Sequence, residues 1–158
     1  KTSSNVSSIL FQFPFYAGIM GIMIHTGLGE ELAIFISETA TINTYAFFSF
    51  VIGGIVNFAI PSGGGEFAVI GPSILEAVKT IGQGLNDQEI IKMLSRASLS
   101  IAYGETLTNL LQPFYLMLIL PVMGAGINIQ ARDVMGFLVI PFLSFFVIMS
   151  LLITFVPI

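Results

Sequence analysis

Hydrophobic positions in this chain come in long blocks rather than periodic stripes. Four stretches carry no Asp, Glu, Lys or Arg: Thr2–Gly29, Thr39–Gly65, Thr106–Gln130 and Val134–Ile158. A bilayer core of about 30 Å needs roughly 20 apolar helical residues, and each stretch is long enough. The pattern predicts spans over about 9–27, 43–60, 107–124 and 134–157, with shorter or broken pieces over about 67–82 and 90–103. Barrel strands would instead alternate over about ten residues with a polar lumen face. The runs LMLILPVMG and FLSFFVIMSLLITFV are apolar all round. The segment at 9–27 lacks a strongly basic start and is followed by further runs, so it reads as a span and not as a cleaved leader. The expected fold is all-α, a polytopic transmembrane helical protein forming a single transmembrane domain over 1–158.

The polar residues between the blocks carry the organisation. Ala17, Gly18 and Gly21 are small enough for another helix to approach the first span. GEELAIFISETATI holds three Glu and suits an amphipathic interfacial helix or an acidic loop. Asn86 or Asp87 can cap a helix that carries Glu89 in its first turn. That helix is expected to stop at Gly104-Glu105-Thr106, before the chain resumes as LTNLLQPF. The Lys79–Arg96 connection has the largest local count of basic residues, which places it on the cytoplasmic side. Two polar interruptions thus fall within apolar sequence, a pattern that predicts a re-entrant hairpin or broken helices. Irregular backbone at membrane depth is tolerated only inside protein or beside water. Discontinuous helices of this kind mark substrate and ion sites in secondary transporters.

Composition narrows the chemistry. Only 9% of the 158 residues are charged, against about 25% in soluble domains. The five Lys and Arg are scattered, so no nucleic-acid surface is expected. There is no Cys and one His, His25, which removes thiolate sites and makes a His-based metal site within the chain improbable. No metal centre, cofactor or enzymatic activity is expected beyond H⁺ or Na⁺ as a coupling ion.

The first interruption is Asn57 followed by Pro61-Ser62-Gly63-Gly64-Gly65-Glu66. Pro61 cannot continue a helix. The glycines permit positive φ and leave their amides bare. Free N–H groups leading into a helix N-terminus suit a carboxylate, with Ser62 and Asn57 adding polar groups. Glu66 would repel an anion unless protonated or paired with a cation. The second interruption places Glu105, Thr108, Asn109 and Gln112 at helical spacing, so their polar groups share a face. An ionisable residue within a membrane segment is a functional candidate by default. Candidate substrate-binding residues are therefore Asn57, Pro61, Ser62, Gly63, Gly64, Gly65, Thr108 and Asn109, and candidate ion-coupling residues are Glu105, Glu66 and Thr106.

The blocks NFAIPSGGGEFAVIGPSILEA, AYGETLTNLLQPF and ARDVMGF, with QFPFYAGIMG near the start, resemble the C-terminal half of the bacterial short-chain fatty acid transporter family. The similarity covers nearly the whole chain, in the same order. It differs from the family pattern at Glu66, where a polar residue such as Gln is common, at Tyr103 and Glu105, where Trp and Asp are common, and at Leu107, where Trp is common. The resemblance implies a carrier for acetoacetate, butyrate and similar small carboxylates. It also implies one half of an inverted-repeat secondary transporter of the wider ion transporter superfamily. Asn57, Pro61–Gly65 and Gly104–Asn109 would then line the substrate and ion site. The expected function is secondary transport of short-chain monocarboxylates across the bacterial inner membrane, coupled to H⁺ or Na⁺. The expected partners are the lipid bilayer and a missing N-terminal half or second subunit, with a homodimer as a further option. An oligomeric channel or noncatalytic membrane subunit is the alternative, and a Ser62 hydrolase lacks a nearby base.

Overall fold

The computed structural model describes residues 2–116, 120 and 129–156. Among these every regular element is helical. The order is α1 (Thr2–Thr26), α2 (Leu28–Thr39), α3 (Tyr45–Asn57), α4 (Gly63–Ile81), α5 (Asp87–Thr108), a 3₁₀ turn (Asn109–Leu111) and α6 (Ala131–Phe155). The chain is an all-α membrane protein.

The uncharged blocks do not all become single long helices. Only α6 is long and apolar enough, by itself, to cross a bilayer among the described residues. The block at 39–65 yields a short apolar helix, α3, because a Thr41–Thr44 turn precedes it and Pro61 lies beyond its end. Most of the predicted 107–124 span lies outside the described residues. The first block continues past its apolar end: α1 bends by 58° into α2. Gly27 makes that bend at φ +72°, a left-handed conformation that glycine adopts without a Cβ clash. The acidic segment is thus helical. It packs on α4 at Gly29, where an added Cβ would lie 2.9 Å from the Val69 carbonyl oxygen.

In lipid, apolar side chains gain little by leaving the hydrocarbon, so close backbone packing and interhelical hydrogen bonds hold helices together. The α3–α5 crossing has that character. A Cβ on Gly53 would lie 2.6 Å from the Ile101 carbonyl oxygen, and one on Gly54 would lie 3.3 Å from that of Gly104. A Cβ on Gly104 would collide with the Phe50 carbonyl oxygen. Around this crossing lie buried Phe50, Ile70, Ile74, Val78 and Ile101. Gly18 and Gly21, by contrast, have nothing within 4 Å of an added Cβ among the described residues, so no helix approaches closely at these two glycines.

The helix ends follow local chemistry. Asn86 caps α5, its Oδ1 accepting from the Glu89 amide at 3.0 Å while Glu89 Oε2 accepts from the Asn86 amide at 3.2 Å. At α6, Asp133 Oδ2 accepts from the Gln130 amide at 3.0 Å.

Candidate functional site

Pro61 makes the first break as a tight turn: the Ser62 amide donates to the Ile60 carbonyl at 2.7 Å. Ser62 is extended, at φ −154° and ψ 106°, and caps α4. Its hydroxyl accepts from the Gly65 amide at 3.4 Å, and its carbonyl accepts from the Glu66 amide at 2.7 Å. The Gly63 and Gly64 amides make no such bond among the described residues. They are among the unpaired donors that every helix N-terminus leaves.

Two expectations change here. The helix begins at Gly63 rather than 67, and Gly63–Gly65 are helical with no positive φ. What Gly63 supplies is space. A Cβ there would lie 2.6 and 2.7 Å from the two carboxylate oxygens of Glu105, so the Glu105 carboxylate rests against the bare N-terminus of α4. Gly64 faces open space.

The second break falls later than expected. Helix α5 continues through Gly104-Glu105-Thr106 to Thr108, followed by the 3₁₀ turn. Thr106 and Thr108 hydroxyls donate to the carbonyls of Ala102 and Gly104 at 2.7 and 3.1 Å, bonds compatible with the helix. Gly104 is needed for the contact with α3 and does not break its helix. Pro113 ends the run, since the residue before proline avoids helical geometry and Gln112 is extended at ψ 113°.

The two breaks meet at Asn57, which is completely buried. Its Nδ2 donates to Asn109 Oδ1 at 2.7 Å, to Thr108 Oγ1 at 2.9 Å and to the Glu105 carbonyl at 3.2 Å. Gln112 Nε2 donates back to the Asn57 carbonyl at 2.7 Å. The end of α3 is therefore tied to the end of α5 by side chains that the sequence places fifty residues apart, as the 51-residue separation of Asn57 and Thr108 shows.

Glu66 lies one turn into α4 and is 0% exposed. Both of its carboxyl oxygens, and Asn57 Oδ1, are buried without a hydrogen-bond partner among the described residues. The Glu105 carboxylate, resting against Gly63, lies at the same first turn of α4 that carries Glu66. The salt bridges among the described residues, Lys79–Glu76 and Arg132–Asp133, involve neither of these carboxyls. Buried oxygens without donors, beside a second carboxylate, suit a proton or a hard monovalent cation.

Asn57, Gly63, Glu105, Thr108 and Asn109 are thus brought together, with Ser62, Gly64, Gly65 and Glu66 along the adjoining turn. Thr106 is not part of this group. Its hydroxyl is bonded within α5, and it lines a separate apolar cavity with Tyr103, Leu110, Phe145 and Met149. Gln112, at helical spacing from Glu105, also belongs to the cluster, through its bond to the Asn57 carbonyl, although it is not among the candidate binding residues that the sequence singles out. A further pocket of about 310 Å³ adjoins Ser62 and Gly65, lined also by Ala17, Met20, Ile60, Pro61 and Phe114. Its α1 residues carry no polar signal in the sequence.

No solved structure matches this chain. A candidate short-chain fatty acid transporter of Escherichia coli (strain K12) is 36% identical over 133 residues, covering 84% of this chain and 27% of that protein. A protein of the same name from Haemophilus influenzae (strain ATCC 51907 / DSM 11121 / KW20 / Rd) is 35% identical over 137 residues, covering 87% of this chain and 28% of that protein. The chain matches under a third of the length of these curated relatives. The sequence pattern of the family described as short chain fatty acid transporter matches residues 1–156, and the chain belongs to that family.

Proposed function

We propose that this chain is the C-terminal part of a multi-pass secondary carrier in the bacterial inner membrane. The carrier moves a short-chain monocarboxylate together with H⁺ or Na⁺. Family membership supports the substrate class. The observation that carries the site is the Glu105 carboxylate resting where a Gly63 side chain would be, at the N-terminus of α4.

A helix N-terminus with unpaired amides attracts an anion, through its donors and the positive end of the helix dipole. In this state the anion is Glu105. A substrate carboxylate using the Gly63 and Gly64 amides must displace that side chain, and both carboxylates cannot share the position without a neutralising charge. The cation is taken up by the acidic oxygens of Glu66 and Glu105, with Asn57 Oδ1 nearby through its bonds to α5. Substrate and cation thereby bind better together than apart, which is the coupling free energy that a symporter needs. Asn57, Thr108, Asn109 and Gln112 hold the two breaks in register, and movement of the α4 N-terminus against α5 would alternate access.

The test is labelled butyrate or acetoacetate uptake by the full-length protein in proteoliposomes, under an imposed Na⁺ or proton gradient. Accumulation should follow one gradient and vanish when it is collapsed. Glu66→Gln should keep substrate exchange while losing gradient-driven accumulation. Uptake that survives collapse of both gradients sinks the coupling reading, and ion conductance without saturable exchange indicates a channel.

A further inference from the structure

The carboxylate end of a substrate at α4 leaves its alkyl tail to be housed, and a cavity adjoins that end. It is the pocket of about 310 Å³ bordered by Ser62 and Gly65 on the α4 side and by Ala17 and Met20 on α1. Ile60 and Pro61, both buried, form its wall at the break itself, and Phe114 closes it from beyond the second break. Apart from the Ser62 hydroxyl, the described side chains facing it are apolar. Helix α1 comes close here: a Cβ on Gly65 would lie 3.5 Å from Met20 Sδ and 3.2 Å from Ser62 Oγ. Ala17, by contrast, is small and exposed, one helical turn before Met20.

We infer that this pocket is the acyl-chain subsite of the carrier, and that Ala17 and Met20 on α1 set the length of alkyl chain it accepts. The inference rests on the proposed carboxylate site, because it assumes that the charged end lies at Ser62–Gly64. The occupant follows from position and chemistry. A molecule anchored by its carboxylate at the first turn of α4 has the Glu105 and Glu66 carboxyls on one side and this pocket on the other, and an alkyl tail suits the apolar side. Small-molecule sites have this composition, an apolar cleft with a few convergent polar groups that fix orientation. Met20 is suited to the role of a wall that adapts, being unbranched and flexible. Ala17 is suited to the role of a floor, where added volume subtracts directly from the pocket.

The experiment compares saturable uptake of labelled acetate, butyrate and hexanoate by the full-length protein in proteoliposomes. The readout is the ratio of kcat/KM values between chain lengths. Ala17→Leu should depress hexanoate relative to acetate, on the order of tenfold per excluded methylene. Met20→Ala should shift the ratio the other way, toward the longer acid. Acetate needs little of the pocket, so its retained uptake reports that each variant folds and transports. A chain-length ratio unchanged in both variants, with acetate uptake intact, overturns the subsite while leaving the carrier reading in place. Loss of acetate uptake in the Ala17 variant leaves the decision to Met20→Ala, where an unchanged ratio likewise overturns it. Absence of saturable uptake of all three acids by the wild-type protein overturns the carrier reading, and this inference with it.

Discussion

The Asn57 amide nitrogen lies 2.9 Å from Thr108 Oγ1, joining the last residue of α3 to the last residue of α5. Two N–H protons serve three acceptors there, the Glu105 carbonyl, the Thr108 hydroxyl and the Asn109 side-chain oxygen. Both helices end beside this side chain, and its partners are one carbonyl in the last turn of α5, which also accepts from the Asn109 amide, and two side-chain oxygens. Replacing it removes the donor to the Asn109 side-chain oxygen and the link between the two helix ends. Asn57→Ala should destabilise the protein by about 1–3 kcal/mol, and Asn57→Asp by more, since it sets a carboxylate among acceptors. Thermal unfolding in detergent reads the difference, and an unchanged Tm in both variants would show that the junction is held elsewhere.

Glycines at the two ends of the site differ in what surrounds them, so they should differ in tolerance. Gly104→Ala drives a methyl group into the Phe50 carbonyl of α3. Backbone offers no side-chain escape, so the helices must separate, at a cost of about 1–3 kcal/mol or more. Gly64→Ala meets open space in the first turn of α4, where alanine is the better helix former by up to ~1 kcal/mol. Unfolding midpoints for the pair should therefore move in opposite directions. Equal loss in both would contradict the α3–α5 contact.

The approach of Glu105 to Gly63 is a coupling that a double-mutant cycle can measure. A Cβ on Gly63 meets the far end of a flexible side chain, so Gly63→Ala should cost little stability while pushing the Glu105 carboxylate off the α4 N-terminus. Substrate KM and cation dependence should change in the single variant. In a Glu105→Ala background the same Gly63→Ala change should have no further effect on either. Additive effects across the cycle would mean that the two residues do not compete for one place.

The membrane class, the helical character of the elements and the meeting of the two interrupted segments are legible in the sequence. Charge-free blocks report solvent, and proline with glycine reports where helices cannot run on. Glu105, Thr108, Asn109 and Gln112 also stand out, because polar side chains at helical spacing are unusual within apolar sequence. What the sequence hides is the reason for each glycine. Gly63 and Gly104 look like helix breakers, yet both are helical, the first leaving room for a carboxylate and the second for a neighbouring backbone. Those reasons depend on elements distant in the chain, and no local preference encodes them. Thr106 shows the same limit in reverse. It shares the GETLTN motif with Glu105 and Asn109, but helical phase turns it toward the Phe145 and Met149 side chains.

Arg96 ties α5 to the far end of α6. Its Nε donates to the Ile153 carbonyl at 2.9 Å, and Nη2 donates to the same oxygen. That carbonyl belongs to the last turn of α6, where four carbonyls lack partners within the helix and the dipole presents its negative end. A guanidinium satisfies both demands at once, and α6 has few other buried anchors, Ile153 being its one buried residue among those described. Arg96→Gln should therefore release the end of α6, with a loss on the order of 1.5–3 kcal/mol expected for a charged hydrogen bond. Arg96→Lys keeps the charge but loses the two-nitrogen grip, and should fall between the two. Hydrogen exchange of the 150–155 amides should rise in that order, while exchange within α3 stays as it was. An α6 terminus equally protected in all three proteins would show that lipid alone holds it in place.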